Sequence, residues 1–120
     1  MGFLSGYRVL DLTDERGMIA GRMLADLGAD VVQVEPPGGS TARRCPPLDA
    51  GGGSLFFDAY AANKRGIAAD PDAAEGQRLI RELATAADIL IESADPGLMA
   101  ARGLDWPDLR RPTRSWSTYR

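Results

Sequence analysis

The chain has 120 residues, which is room for one domain and excludes a second domain or a bundle of membrane spans. Fourteen basic against seventeen acidic residues give a net charge of −3, unlike the basic excess of a dedicated nucleic-acid binder. Histidine is absent and Cys45 is the only cysteine, which excludes Ser-His-Asp and Cys-His catalysis, an intrachain disulfide and His or Cys-cluster metal sites.

Tyr7 to Leu12 is a short β-like run. Thr13 to Gly17 is a turn in which Thr13 or Asp14 is the expected helix cap. Ile19, Ala20, Met23, Leu24 and Leu27 then fall at helical spacing, with Arg22 and Asp26 together on the opposite face. Gly28 is the helix stop. Gly21, inside the helix, permits close packing on a sheet. Val31 to Glu35 is a second strand, ended by Pro36-Pro37-Gly38-Gly39. Strand, helix and strand with short connections predict a βαβ unit with parallel strands and a right-handed crossover.

Residues 36–53 read as a long loop rich in Pro and Gly, and such loops are usually functional or disordered. Ser54 to Ala62 reads as a helix capped by Ser54. A polar turn, Asn63 to Gly66, precedes a short strand over Ile67 to Ala69. Asp70-Pro71-Asp72 is the expected start of a helix whose apolar face is Leu79, Ile80, Leu83, Ala84 and Ala87. Ile89-Leu90-Ile91 is a fully apolar strand and so a central one, broken by Asp95-Pro96-Gly97. Short helical pieces are expected at Leu98–Ala101 and Asp105–Arg110.

This order predicts an α/β domain with a mostly parallel sheet. Such sheets bind ligands at the carboxyl ends of their strands, here just after Leu12, Glu35, Ala69 and Ile91. The turn after the first strand is not G-x-G-x-x-G, so Gly17 reads as a turn glycine and not as part of an NAD site. Glu35 stands where a ribose-binding acid sits in a dinucleotide fold, or is a solvated strand-end carboxylate. Arg43, Arg44, Lys64 and Arg65 are loop cations that either meet a phosphorylated ligand or stay solvated. Cys45 lies beside two arginines but has no base partner, so it is not read as a nucleophile. The first residues have neither a basic n-region nor a long apolar stretch, and no run approaches the ~20 apolar residues of a membrane span. A cytoplasmic setting is expected, with no membrane and no nucleic-acid partner.

Several segments in order resemble one family. They are Tyr7 to Thr13, Leu24-Ala25-Asp26-Leu27-Gly28-Ala29-Asp30-Val31-Val32 and Val34-Glu35-Pro36-Pro37-Gly38-Gly39. Asn63-Lys64-Arg65, Ala86 to Glu92, Pro96-Gly97-Leu98-Met99 and Arg102-Gly103-Leu104 follow. Together, from about Leu4 to Leu109, they resemble the start of the class III CoA-transferase family, the CaiB/BaiF group that includes formyl-CoA and carnitine CoA-transferases and α-methylacyl-CoA racemases. The resemblance implies a Rossmann-like, mostly parallel sheet with flanking helices, incomplete relative to the family. It implies an interlocked homodimer, coenzyme A or acyl-CoA as substrate and no tightly bound cofactor. It also implies movement of CoA between carboxylic acids through an anhydride and a thioester on an aspartate. No aspartate of this chain aligns with that residue, so no catalytic residue is assigned and the chain alone is expected to be inactive.

CoA contacts implied by the resemblance fall on Arg16 and Gly17, on Ala69, Asp70, Pro71 and Asp72, on Ser93, Ala94 and Asp95, and on Arg102. Asp72 stands where formyl-CoA transferase has a basic residue, which disfavours a CoA phosphate. No metal ligand is implied. A racemase-type relative and a non-catalytic CoA- or nucleotide-binding module are the alternatives.

Charge divides the chain. Residues 1–108 hold ten basic and seventeen acidic groups, whereas 109–120 hold four arginines and no acid. The expected organisation is an N-terminal part of a large domain over 1–109 and an atypical basic tail over 110–120. The tail has no strand periodicity, and a frameshift would produce such a run.

Overall fold

The computed structural model describes residues 2–109 and 117–119. Five strands, β1 (Arg8–Leu12), β2 (Asp30–Glu35), β3 (Arg65–Ala68), β4 (Ile89–Glu92) and β5 (Ser117–Tyr119), form one sheet in the order β3-β2-β1-β4-β5. Every pairing is parallel, and Val9 of β1 stands opposite Val31 of β2 and Ile89 of β4. The helices are α1 (Met18–Asp26), α2 (Leu55–Ala61), α3 (Ala74–Ala86), α4 (Leu98–Ala101) and α5 (Trp106–Leu109), with a 3-10 turn at Thr41–Arg44. This is the expected α/β architecture. Among the described residues no helix is long and apolar enough to cross a membrane.

The period of two in a strand divides the core into two layers. Leu10, Val34 and Leu90 point to one face, where Ile80 and Ala84 of α3 join Met99, Leu104 and Leu109. Val9, Val31 and Ile91 point to the other, against Ala20, Leu24 and Ala25 of α1. Burying a Leu or Ile side chain stabilises by ~1.5–3 kcal/mol, so the first, larger layer carries most of the hydrophobic stabilisation. Helix α1 ends in a Schellman arrangement: Ala29 N–H donates to the Leu24 carbonyl and Gly28 N–H to that of Ala25, with Gly28 at φ +106°. Gly21 lets α1 approach β1, since a Cβ there would lie 1.9 Å from Asp11 Oδ2.

Several local expectations are corrected. Neither Thr13 nor Asp14 caps α1; Gly17 occupies that position without a side-chain cap. Thr13 is turned inward by Asp11, and Asp14 is engaged by Arg16 and Ser93. Asp70-Pro71-Asp72 does not begin a helix. Asp70 Oδ1 accepts from the Asp72 N–H in a local turn, and α3 starts at Ala74. The loop after β2 is partly ordered by the 3-10 turn, whose cap Ser40 accepts from the Ala42 N–H. Ser54 does cap α2, accepting from the Phe57 N–H.

The expected basic tail falls mostly outside the described residues. Of it, 117–119 form β5, where no strand was expected, with Thr118 opposite Leu90. Three residues are too few to show a periodicity. The edge of β4 offers backbone groups that an extended run can pair with, and Thr and Tyr suit a strand.

Candidate functional site: a cleft at the strand ends

The chain leaves β1 toward β2 and β3 on one side, and returns to β4 on the other. The carboxyl ends of β1 and β4 therefore flank a topological switch point, the usual crevice for a ligand in such a sheet. A cleft of about 280 Å³ opens there. Leu12, Thr13, Asp14 and Arg16 come from the end of β1, Val34 and Pro36 from β2, Ala69 and Pro71 from beyond β3, and Ser93 and Ala94 from beyond β4. Ile80, Leu98, Met99 and Leu104 supply apolar lining, and Ser40, Thr41 and Arg102 add polar groups. An apolar lining with a few convergent polar groups suits a small organic ligand.

Of the residues implied as CoA contacts, Arg16, Ala69, Pro71, Ser93, Ala94 and Arg102 line this one cleft although they come from four parts of the chain. Gly17, Asp70, Asp72 and Asp95 do not line it. Gly17 packs beneath the turn, where a Cβ would meet Thr13 Cγ2 at 2.9 Å. Asp72 and Asp95 instead hold the two arginines. Thr13, Ser40, Thr41, Leu98 and Met99 were missed. The strand-end rule pointed at Thr13, but Ser40 and Thr41 lie in a loop without periodicity, and Leu98 and Met99 read only as a helical piece.

Hydrogen bonds join the turn after β1 to the loop after β4. Ser93 Oγ accepts from the Asp14 N–H at 3.0 Å and donates to Asp14 Oδ1 at 3.0 Å. Arg16 reaches both sides, with Nη2 2.9 Å from Asp14 Oδ2 and Nη1 2.9 Å from Asp95 Oδ1. Burial pushes the Asp14 carboxyl up, but hydrogen bonds from Arg16 and Ser93 outweigh it and leave it below the usual carboxylate range. The hydrogen bond to Asp14, with that to Asp95, pushes the Arg16 guanidinium further toward its charged form. Arg102 Nε lies 2.8 Å from Asp72 Oδ1.

Three of the four loop cations are held by carboxylates of the chain itself. Lys64 is buried behind the turn after β1, where Nζ donates to Asp11 Oδ2 at 2.9 Å, Gln33 Oε1 at 2.9 Å and the Met18 carbonyl at 3.0 Å. Asp11 Oδ1 in turn accepts from the Thr13 N–H at 2.9 Å and Oγ1 at 2.6 Å, and Gln33 Nε2 donates to the Thr13 carbonyl at 2.8 Å. This network fixes Thr13, a wall of the cleft, from behind. Arg65 pairs with Asp30, and Arg43 with Glu35, while Arg44 is exposed.

Glu35 is therefore neither a solvated acid nor a group open to a ribose. It is buried, receives Arg43 Nε at 2.6 Å and Nη2 at 2.8 Å, and accepts from the Ser40 N–H at 2.8 Å. The Arg43 guanidinium, itself stacked 4.2 Å from the Phe57 ring centroid, holds the Glu35 carboxyl below its ordinary value against the opposing effect of burial. A depressed folded-state value means stability present above the unfolded pKa, about 4.3, and lost as pH falls through the folded one. Glu35→Gln should therefore lower stability at pH 7 and flatten its decline below pH ~4. Urea denaturation at pH 7 and pH 3 measures this; an unchanged acid slope counts against it.

The chain is similar to known proteins in sequence and in fold. Residues 4–113 match the family described as CoA-transferase family III. The succinyl-CoA:(R)-benzylsuccinate CoA-transferase subunit BbsE of Thauera aromatica is 40% identical over 111 residues, covering 89% of this chain and 27% of that protein. The succinate–glutarate CoA-transferase of Agrobacterium fabrum is 42% identical over 115 residues, covering 89% of this chain and 29% of that protein. A CaiB/BaiF family protein of Brucella suis superposes with a TM-score of 0.85 at 35% identity, covering 98% of this chain and 33% of that one. The chain thus spans about a third or less of the length of these relatives. By sequence and by fold, the chain belongs to CoA-transferase family III.

Proposed function

We propose that this chain supplies the CoA-binding N-terminal part of a CoA-transferase that moves CoA between an acyl-CoA and a carboxylic acid. The observation that carries this reading is the gathering of Arg16, Ala69, Pro71, Ser93, Ala94 and Arg102 around one cleft at the switch point of the sheet. In this reading the adenosine end of CoA enters the cleft, its ring against the apolar lining and its polar groups toward Thr13, Ser93 and the arginines. The aspartate that takes up the acyl group lies outside the 120 residues, so the chain does not complete transfer by itself. The full enzyme is a cytoplasmic homodimer with no tightly bound cofactor.

Calorimetric titration of the chain with CoA should give saturable binding. Incubation with succinyl-CoA and glutarate, chosen because relatives carry those names, should give no glutaryl-CoA. Absence of binding would remove the CoA-binding role. Transfer by this chain alone would overturn its dependence on residues outside the sequence.

A further inference from the structure

The cleft contains two guanidinium groups, yet its charge is not positive. Arg16 gives Nε and Nη2 to Asp14 and Nη1 to Asp95. Arg102 gives Nε to Asp72, with Nη2 3.5 Å from the other oxygen of the same carboxylate and Nη1 3.9 Å from Met99 Sδ. Each nitrogen of both guanidiniums thus faces one acceptor, which engages three of the five N–H donors of each. Three carboxylates surround two cations, so the local formal charge is −1. A phosphate entering here meets guanidiniums whose charge is already offset by carboxylates, in a field that repels a dianion.

The outer caps are suited to such an exchange. Asp72 and Asp95 have 66% and 77% of their side chains exposed, and each holds an arginine across a gap between separate segments of the chain. Asp14 differs, being less exposed and tied to Ser93 as well. Exposed ion pairs of this kind are individually weak, so an incoming phosphate competes with them on comparable terms and loses part of its binding free energy in doing so.

Resting on the CoA-binding reading above, we infer that Asp72 and Asp95 are specificity-determining caps on Arg102 and Arg16, which make the cleft favour an adenosine end with fewer phosphates, 3′-dephospho-CoA over CoA. The diphosphate bridge is common to both ligands, so the comparison isolates the extra phosphate. Asparagine keeps the size of each cap and removes its charge. Neither carboxylate has another side-chain partner among the bonds described, so the turns around them are retained.

The test is calorimetric titration of the full chain, of D72N and of D95N, with CoA and with 3′-dephospho-CoA, at ~50 mM and ~300 mM salt. Wild type should bind 3′-dephospho-CoA about threefold or more tightly than CoA. The variant whose arginine faces the 3′-phosphate should gain about fivefold for CoA at low salt, with 3′-dephospho-CoA changed less than about twofold and the gain shrinking at high salt. Thermal melts check that each variant is folded. Tighter binding of CoA than of 3′-dephospho-CoA by wild type would overturn the inference while leaving the cleft a CoA site. So would equal shifts for both ligands, or no shift in either variant. Binding of neither ligand to any of the three proteins would instead overturn the CoA-binding reading together with the inference built on it.

Discussion

Lys64→Met is expected to cost about 3–5 kcal/mol of folding stability, the range for breaking a buried ion pair by removing one partner. Lys64 and Asp11 have side chains 1% and 0% exposed, and their contact is 2.9 Å. The three donors of the ammonium group meet three acceptors, so no hydrogen-bonding capacity is left unused. Methionine has nearly the length of lysine and fills the space. What it leaves is a carboxylate deep between β1 and α1 with no counter-charge. The penalty is the desolvation of Asp11, not the lost attraction alone. Asp11→Asn combined with Lys64→Met should therefore cost less than Lys64→Met alone, because the double change removes both charges. Because Asp11 also orients Thr13, Lys64→Met should loosen the wall of the cleft as well as the fold. Urea denaturation of the two variants measures the coupling. A Lys64→Met loss below about 1 kcal/mol would show that water reaches the pair.

Gly76→Ala should lower the melting temperature by more than about 10 °C, on a scale of roughly 4 °C per kcal/mol for a chain between the 60–100- and 150–250-residue classes. On propensity alone the change should help, since alanine is favoured over glycine in a helix interior by ~1 kcal/mol. Sterics decide otherwise. A Cβ at position 76 would lie 1.9 Å from the Asp70 carbonyl oxygen and 2.6 Å from its carbon and nitrogen. These are backbone atoms, so no rotamer relieves the overlap and α3 must move away from the loop. That helix carries Ile80 and Ala84, both in the larger core layer, and the displaced loop carries Ala69 and Pro71 of the cleft. The control is Gly66→Ala, where a Cβ meets nothing within 4 Å. A Gly76→Ala protein as stable as wild type would show that the close approach of α3 to Asp70 is not required.

The parts of the fold legible in the sequence were those where a local pattern and the tertiary structure demand the same residue. Val9 and Leu10, Val31 and Val34, and Leu90 and Ile91 alternate between two covered faces, and Ile80 and Ala84 fall one helical turn apart. These patterns located β1, β2, β4, α1 and α3. What escaped was set by partners distant in the chain. Lys64 read as a loop cation, solvated or on a phosphate, because nothing near it announces Asp11, 53 residues earlier. Glu35 read as a solvated strand-end acid or a ligand contact, because its arginine lies in a loop without periodicity. Asp70-Pro71-Asp72 carries the composition of a helix start, but its aspartates are used in a turn and in a pair with Arg102. The cleft itself was legible only in outline. The strand-end rule indicated where it would lie, whereas the pairing of its arginines with Asp14, Asp95 and Asp72 depends on geometry that spacing does not contain.

The most direct test of the central claim, that the cleft at the ends of β1 and β4 receives the adenosine end of CoA, is a backbone-amide NMR titration of the chain with CoA. Saturable shifts are expected, centred on Thr13, Arg16, Ala69, Ser93, Ala94 and Arg102, with little change along the outer face of α1 at Ile19 and Met23. Shifts confined to that outer face, or none at saturating CoA, would contradict it.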